Sequence, residues 1–273
     1  MIVSTTIYDV TDVGKLTTAA KKMSRNFKID LAYDGTDFAG WQIQPQHATI
    51  QGTLADAVAR ITGERLLPQG SGRTDAGVHA LAQVASFALE SPIPADNLLV
   101  ALNHTLPASI RATRIEEVAP DFHARHSAKA KSYEYRILRP SICPPFVARY
   151  VHHHPYQLDE DAMCSAASLV AGRHDFSSFA AVDPERAKDG EEPDNVRTIY
   201  SSEWQRQGDL LIYRVRGDGF LHHMVRNLVG TFLLVGKGTI RPDSIPALLA
   251  ARNRSETGPT ASASGLFLVN VEY

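Results

Sequence analysis

Between Asn26 and Asp34 the chain alternates: Phe27, Ile29, Leu31 and Tyr33 fall on one face, with Lys28, Asp30, Ala32 and Asp34 on the other. That period of two predicts a half-buried strand. The period changes between Thr49 and Thr62, where Ile50, Leu54, Ala57, Val58 and Ile61 make one helical stripe. Thr49 is placed to cap this helix and Gly63 to end it. The apolar run beginning at Leu81 predicts a buried strand to Ala88, Asp96 to Leu106 a helix, and Ile110 to Val118 an edge strand. Alternation from Ser132 to Leu138 puts Tyr133 and Tyr135 on one face.

Pro140 to Phe146 is proline-rich and reads as a crossing between halves. Asp159 to Val170 predicts a short helix ending at Gly172, and Val196–Trp204 with Leu210–Gly217 a hairpin across Gln207-Gly208-Asp209. Phe220, Met224, Val225, Leu228, Val229, Phe232 and Leu233 have the spacing of a largely buried helix over the segment from Gly219. Ser264 to Tyr273 closes as a strand. Residues 1–24 show no clear period and read as an N-terminal extension. The sum is an α+β fold, with helices backing a mainly antiparallel sheet. Residues 25–126 and 127–273 repeat that sheet-plus-helix plan, as two similar subdomains.

Composition narrows the class. A chain of 273 residues that is 44% hydrophobic can bury one large core or two ordinary ones. The longest apolar stretch, Leu228 to Val235, is far too short to span a bilayer, and Met1 to Thr6 lacks the pattern of a secretory signal. Two cysteines, Cys143 and Cys164, suit a reducing cytosol without a disulfide framework. The expectation is a cytoplasmic enzyme with no membrane partner.

A net charge of −2 argues mildly against a nucleic-acid partner, but the charge is segregated. Residues 122–140 carry five cations (Arg125, Lys129, Lys131, Arg136, Arg139) against Glu134, five minus one, or +4. Residues 206–241 carry six against Asp209 and Asp218, again +4. The acid gathers in 183–194, six carboxylates against Arg186 and Lys188, which reads as a loop. Such segregation lets a near-neutral protein show a basic face to phosphates. Solvated strand and helix faces would account for either patch alone.

Gly70 to Ala80 fits neither period. Three glycines in eight residues, with Arg73, Thr74 and Asp75 among them, predict a tight loop held by the strand that follows. A single carboxylate presented on such a loop suits chemistry, and equally suits a turn whose Asp accepts backbone N–H bonds. Arg226 lies near the apolar stripe of its helix, where an unpaired charge is costly, and Asp75 is the partner we nominate. His152-His153-His154 and His222-His223 are consecutive, so on a strand or helix they point apart and cannot all ligate one ion. No paired C-x-x-C, H-E-x-x-H, P-loop or dinucleotide fingerprint is present, and no metal is expected.

The string G-R-T-D-A-G-V-H-A (Gly72 to Ala80) closely resembles the active-site motif of the TruA family of tRNA pseudouridine synthases. Y-D-G-T-x-F-x-G-W-Q from Tyr33, D-F-H-A-R-H-S-A-K-A-K-S-Y-E-Y-R-I from Asp121, H-D-F-S-S-F from His174 and the Gly219–Gly230 segment match in order, over about residues 25–273. The resemblance implies a cofactor-independent isomerase acting on uridines 38, 39 and 40 of the tRNA anticodon stem-loop. It also implies an active-site cleft between two α+β halves, and a homodimer. Carried residue by residue, it makes Asp75 the nucleophile, Arg226 its ion-pair partner and Tyr133 the ring packed on the target base. Arg73 would fill the place of the flipped base, and His79, Arg125, Lys129 and Lys131 would join Tyr133 among the RNA contacts. Two other readings use the same residues: a non-catalytic RNA-binding protein on this fold, and a metal-dependent phosphodiesterase built on Asp75, His79 and the histidine clusters.

Overall fold

A computed structural model describes residues 24–182 and 194–273. Residues 1–23 of the expected extension, and 183–193 of the acidic stretch, lie outside them. The elements run in order β1 (Arg25–Tyr33), α1 (Ile50–Thr62), β2 (Gln69–Gly70), β3 (His79–Leu89), α2 (Ala95–Thr105) and β4 (Ile110–Val118). They continue with β5 (Ala130–Leu138), β6 (His152–His153), α3 (Glu160–Ser168), β7 (Gly172–Asp175), β8 (Val196–Gln207) and β9 (Leu210–Gly217). The chain ends with α4 (Met224–Gly236), α5 (Ile245–Ala251) and β10 (Leu266–Glu272).

The strands join in one mixed, mainly antiparallel sheet in the order β4-β1-β3-β10-β5-β9-β8-β7, with β2 added on β3 and β6 on β5. Among the described residues only β10 against β3 and β6 against β5 run parallel. Strands from before residue 127 therefore occupy one side of the sheet, and later strands the other. The seam between them is β3 against β10, with Phe267 opposite His79 and Leu268 opposite Ala80.

The period-two pattern sets the core. Phe27, Ile29, Leu31 and Tyr33 of β1, Tyr133, Tyr135 and Ile137 of β5, and Leu211, Tyr213 and Val215 of β9 are all buried. They form one continuous cluster with the buried faces of all five helices. The opposite face of the sheet is polar and internally paired: Glu134 meets Arg136 at 2.8 Å and Arg214 at 3.1 Å, and Arg216 meets Glu272 at 2.7 Å. Among the described residues no helix is long and apolar enough to cross a membrane.

Helix ends follow local chemistry. The Thr49 hydroxyl accepts from Gly52 N–H at 3.2 Å, and Gly63 ends α1 at φ 77°. Asp159 caps α3 by accepting from Ala162 N–H at 2.9 Å. One start differs from the periodicity. The helix expected over the segment from Gly219 begins only at Met224, because His223 takes a left-handed backbone (φ 58°, ψ 4°) and breaks the helical path. Residues 219–223 are a turn that leads into α4.

Gly230, inside α4, shows why the helix lies where it does. A Cβ there would stand 1.7 Å from the Pro259 carbonyl oxygen, so the segment entering β10 packs directly on the helix backbone. In an exposed helix, Gly to Ala would gain about 1 kcal/mol. Here overpacking outweighs that gain. Gly230→Ala is expected to lower stability by about 1–3 kcal/mol in urea unfolding, and an unchanged or raised midpoint would refute this packing.

Candidate active site

The catalytic-motif loop, Ser71 to Val78, is fixed from three directions. From β3 below it, Val84 accepts Ser71 N–H at 2.7 Å, and Gln83 both accepts from the Ser71 hydroxyl and donates to the Gly72 carbonyl at 3.0 Å. From β1, the Tyr33 hydroxyl lies 2.8 Å from that of Thr74. Burial pushes the Tyr33 phenol up to about 12, against the pull of its bonds to Thr74 and Gln83, so it stays neutral. From the Asp34–Gln42 loop, Trp41 N–H donates to the Thr74 carbonyl at 3.0 Å. Gly40 makes that approach possible: its φ is 91°, and a Cβ would stand 2.5 Å from the Thr74 carbonyl oxygen. The two glycine-bearing motifs, about thirty residues apart, are one unit in space.

Asp75 stands at the head of this loop. Arg226, in the first turn of α4, donates from Nη1 to its Oδ2 at 2.8 Å, across 151 residues of sequence. Both side chains are largely buried, 15% and 17% exposed, so neither charge is left to bulk water. The guanidinium is held from behind, because its Nε donates to the Ala261 carbonyl at 2.7 Å. Next to it Asn227 is fully buried, its Oδ1 accepting from Arg254 at 3.0 Å and Thr260 at 2.7 Å.

A cavity of about 980 Å³ opens over Asp75. Arg73, Arg125, Lys131 and Tyr133 all lie on its wall. Tyr133 is 7% exposed and meets Phe220 edge-on at 4.9 Å. Burial, with the nearby Tyr33 and Asp75 adding, holds its phenol well above the usual range. Lys131 donates to the Ser71 carbonyl at 2.6 Å, tying β5 to the catalytic-motif loop. Burial, helped by Arg125 and Arg197, pushes its ammonium down to about 8. Charge on this lysine is therefore conditional in the neutral to mildly basic range.

Two expected contacts lie elsewhere. His79 does not line this cavity: it is 1% exposed, stacked on Phe267 at 4.7 Å, with Nδ1 accepting from Gly35 N–H and Nε2 facing the Arg149 carbonyl at 2.9 Å. Burial lowers its pKa, and a neutral ring suits both bonds. Lys129 is exposed at the start of β5, off the cavity wall, with its backbone N–H donating to Glu272.

Other residues on the wall were either expected to point apart or not singled out by sequence. His222 and His223 come together, ring centroids 4.0 Å apart, with Nε2 atoms 3.8 and 3.5 Å from the Asp75 carboxylate oxygens. Consecutive residues point apart on a helix or strand, but these two sit in a turn. The left-handed His223 turns both rings the same way, and periodicity carries no sign of that. Arg197, Arg252 and Arg254 join them on the wall. Gln83 was missed as well, although a polar residue inside the Leu81–Phe87 apolar run is a signal that it serves a partner, and here that partner is the loop.

Asp75, His222 and His223 have ligand atoms within 4.8 Å of one another, a spacing that would admit a metal ion. The Arg226 guanidinium already occupies Oδ2 and sets a fixed positive charge beside that space. The donor set fits an oriented carboxylate in an ion pair better than a metal centre.

The chain matches the family model described as tRNA pseudouridine synthase over residues 31–127 and 166–273. It is 52% identical over 250 residues to tRNA pseudouridine synthase A of Solibacter usitatus, covering 91% of this chain and 100% of that one. The same enzyme of Moorella thermoacetica is 47% identical over 249 residues, covering 90% of this chain and 98% of that one. An aspartate loop, an arginine clamp and a buried tyrosine around one basic cavity thus occur in a chain that aligns with these enzymes over nearly its whole length, and the chain belongs to the tRNA pseudouridine synthase family.

Proposed function

We propose that this protein isomerises uridine to pseudouridine at positions 38, 39 and 40 of the tRNA anticodon stem-loop, with Asp75 as nucleophile. The observation that carries the reading is the Asp75–Arg226 pair inside a basic cavity, 2.8 Å between Nη1 and Oδ2. Isomerisation breaks the C1′–N1 bond, rejoins the ring through C5 and moves one proton from C5 to N1. It consumes no external donor. A carboxylate kept charged and oriented can add to the ring, attack C1′ or promote a glycal. Arg226 supplies charge and direction.

The other roles follow from placement. Tyr133, buried beside Asp75, packs on the flipped uracil, and Arg73 at the cavity wall takes the position the base leaves. Arg125 and Lys131 meet backbone phosphates. The two halves, 25–126 and 127–273, form the sides of the cleft, a division supported by the β3–β10 seam and by a pair whose partners come one from each. A homodimer is proposed on resemblance to the family. A mostly apolar hollow of about 620 Å³ around Leu81, Val147 and Phe267 offers a surface for a second copy. Two unpaired thiols, Cys143 and Cys164, support a reducing cytoplasmic setting.

The test is purified protein with unmodified tRNA and EDTA, followed by chemical mapping of pseudouridine. New pseudouridine in the anticodon arm is expected. Its absence despite tight binding would favour a non-catalytic RNA-binding protein, and dependence on a metal would favour the phosphodiesterase reading. Asp75→Asn is expected to lower turnover by at least ~10⁴-fold while tRNA binding stays within a few-fold; equal loss of both would make the residue structural. For Arg226→Met, which keeps the aliphatic stem, a fall of about 10²–10³-fold is expected, and retained turnover would remove the pair from the mechanism.

Lys131 gives a pH signature. Its ammonium, held near 8 by burial, is charged below that value and neutral above it. Affinity for tRNA should therefore weaken as pH rises from 7 to 9. Lys131→Met should bind more weakly at pH 7 and show a flatter profile across that window. A wild-type profile as flat as the variant's would exclude Lys131 from phosphate contact.

A further inference from the structure

The reaction proposed above, on which this inference rests, asks one oxygen of Asp75 to meet the substrate while the rest of the carboxylate stays still. Arg226 alone cannot ensure that, because a single donor lets the carboxylate swing about the bond it makes. Two imidazoles stand within reach. His223 Nε2 lies 3.5 Å from Oδ2, the oxygen that Arg226 holds, and His222 Nε2 lies 3.8 Å from Oδ1.

The two rings are not equivalent. The Nδ1 of His222 lies 3.1 Å from the Val182 carbonyl, which can only accept, so Nδ1 carries the hydrogen. In the neutral ring its Nε2 then has a lone pair and offers Oδ1 no bond. His223 faces Oδ2 from the turn that starts α4. The charged groups around it are Asp75 from the catalytic-motif loop, His222 from its own turn, Arg226 from α4 and Arg254 from the segment after α5. Burial favours its neutral form most strongly, with Asp75 opposing and His222, Arg226 and Arg254 adding. A neutral ring beside a carboxylate is favoured as the Nε2–H tautomer, which donates.

The backbone points the same way. His223 has φ 58°, in the region that glycine occupies without strain, and its side chain makes no cap on α4. A strained conformation persists where the surroundings hold it, and such positions gather at active sites. Glycine would relax this turn, yet glycine could not bring a ring to Asp75.

We propose that His223 is a positioning residue for Asp75: with Arg226 it holds Oδ2, and so leaves Oδ1 as the oxygen presented to the nucleoside. The carboxylate is thereby fixed about its own axis by two donors from one helix start. A conformation unfavourable to most side chains is retained at that helix start for this purpose.

The experiment compares His223→Leu with His223→Gln, measuring kcat and KM on unmodified tRNA together with melting temperature. Both side chains bear the same left-handed backbone and have similar volume, but only Gln ends in a donor at about the reach of Nε2. Leu should lower kcat at least tenfold with KM within twofold, and Gln should recover most of that loss at the same melting temperature. Equal falls in the two variants, a loss confined to KM, or a Leu variant within threefold of the parent would overturn the proposal. Should both unfold, His223→Gly relieves the strain and removes the donor. It is expected to melt at or above the parent temperature with kcat at least tenfold lower, and an unchanged kcat would overturn the proposal. Absence of pseudouridine from the unsubstituted protein would instead overturn the reading of the reaction itself.

Discussion

One ion pair, Asp75 to Arg226, sets the terms for the rest of the structure. Withdrawing two charges from water costs several kcal/mol for each ion, and mutual attraction repays this only with good geometry and further hydrogen bonds. The fold supplies both. Arg226 uses Nη1 on the carboxylate and Nε on the Ala261 carbonyl, so its guanidinium has two fixed points. The backbone closes the same contact, since Ala261 N–H donates to the Arg226 carbonyl at 3.1 Å. Helix α4 and the segment entering β10 are thereby joined at the residue that carries the charge. Gly230, one turn further on, lets that segment lie against the helix without a side chain between them.

The carboxylate needs equal restraint, and its loop has almost no apolar side chains with which to pack. Polar bonds and close backbone contact take the place of a core. Gln83, fully buried, bridges Ser71, Gly72 and Tyr33. Lys131 reaches the same loop from the far side of the β3–β10 seam. A buried polar network of this kind is rigid when each member is satisfied and costly when one is removed. The loop that carries Asp75 is therefore held firmly, although it has no regular secondary structure.

How much of this could be read from residues depends on what the signal was. Strands β1, β5 and β9 and helices α1 and α2 were legible because burial imposes a period, and their ends differ from expectation by a residue or two. Thr49 and Gly63 were legible because an N-cap and a left-handed end ask for particular side chains. The Asp75–Arg226 contact followed from cost, since an arginine on an apolar stripe must have an acceptor. The joining of His222 to His223 was not legible. It depends on one φ angle at a residue that belongs to the amphipathic pattern's flank, and a histidine there gives no compositional mark. His79 misled for the opposite reason: it lies next to the motif in sequence, but the first residue of β3 points away from Asp75 and into a stack with Phe267. Adjacency along the chain says little about adjacency at a site where a loop turns into a strand.

Net charge misled in a similar way, and the structure shows why. A sum near zero counts carboxylates that are already engaged. On the back of the sheet, Glu134 answers Arg136 and Arg214, Glu272 answers Arg216, and Glu116 answers Lys28 at 3.2 Å. There three carboxylates are engaged by four cations, and beyond about 10 Å in ordinary salt the residual field is screened. The cavity wall gathers cations: among the described residues it carries Arg73, Arg125, Lys131, Arg197, Arg252 and Arg254 beside Asp75, with Arg252 also meeting Asp175 at 3.0 Å. Low-dielectric walls focus that field toward the opening, where a phosphate backbone would meet it. Among the described residues, the cations gathered on that wall bear more on what the cavity attracts than the −2 carried by the whole chain.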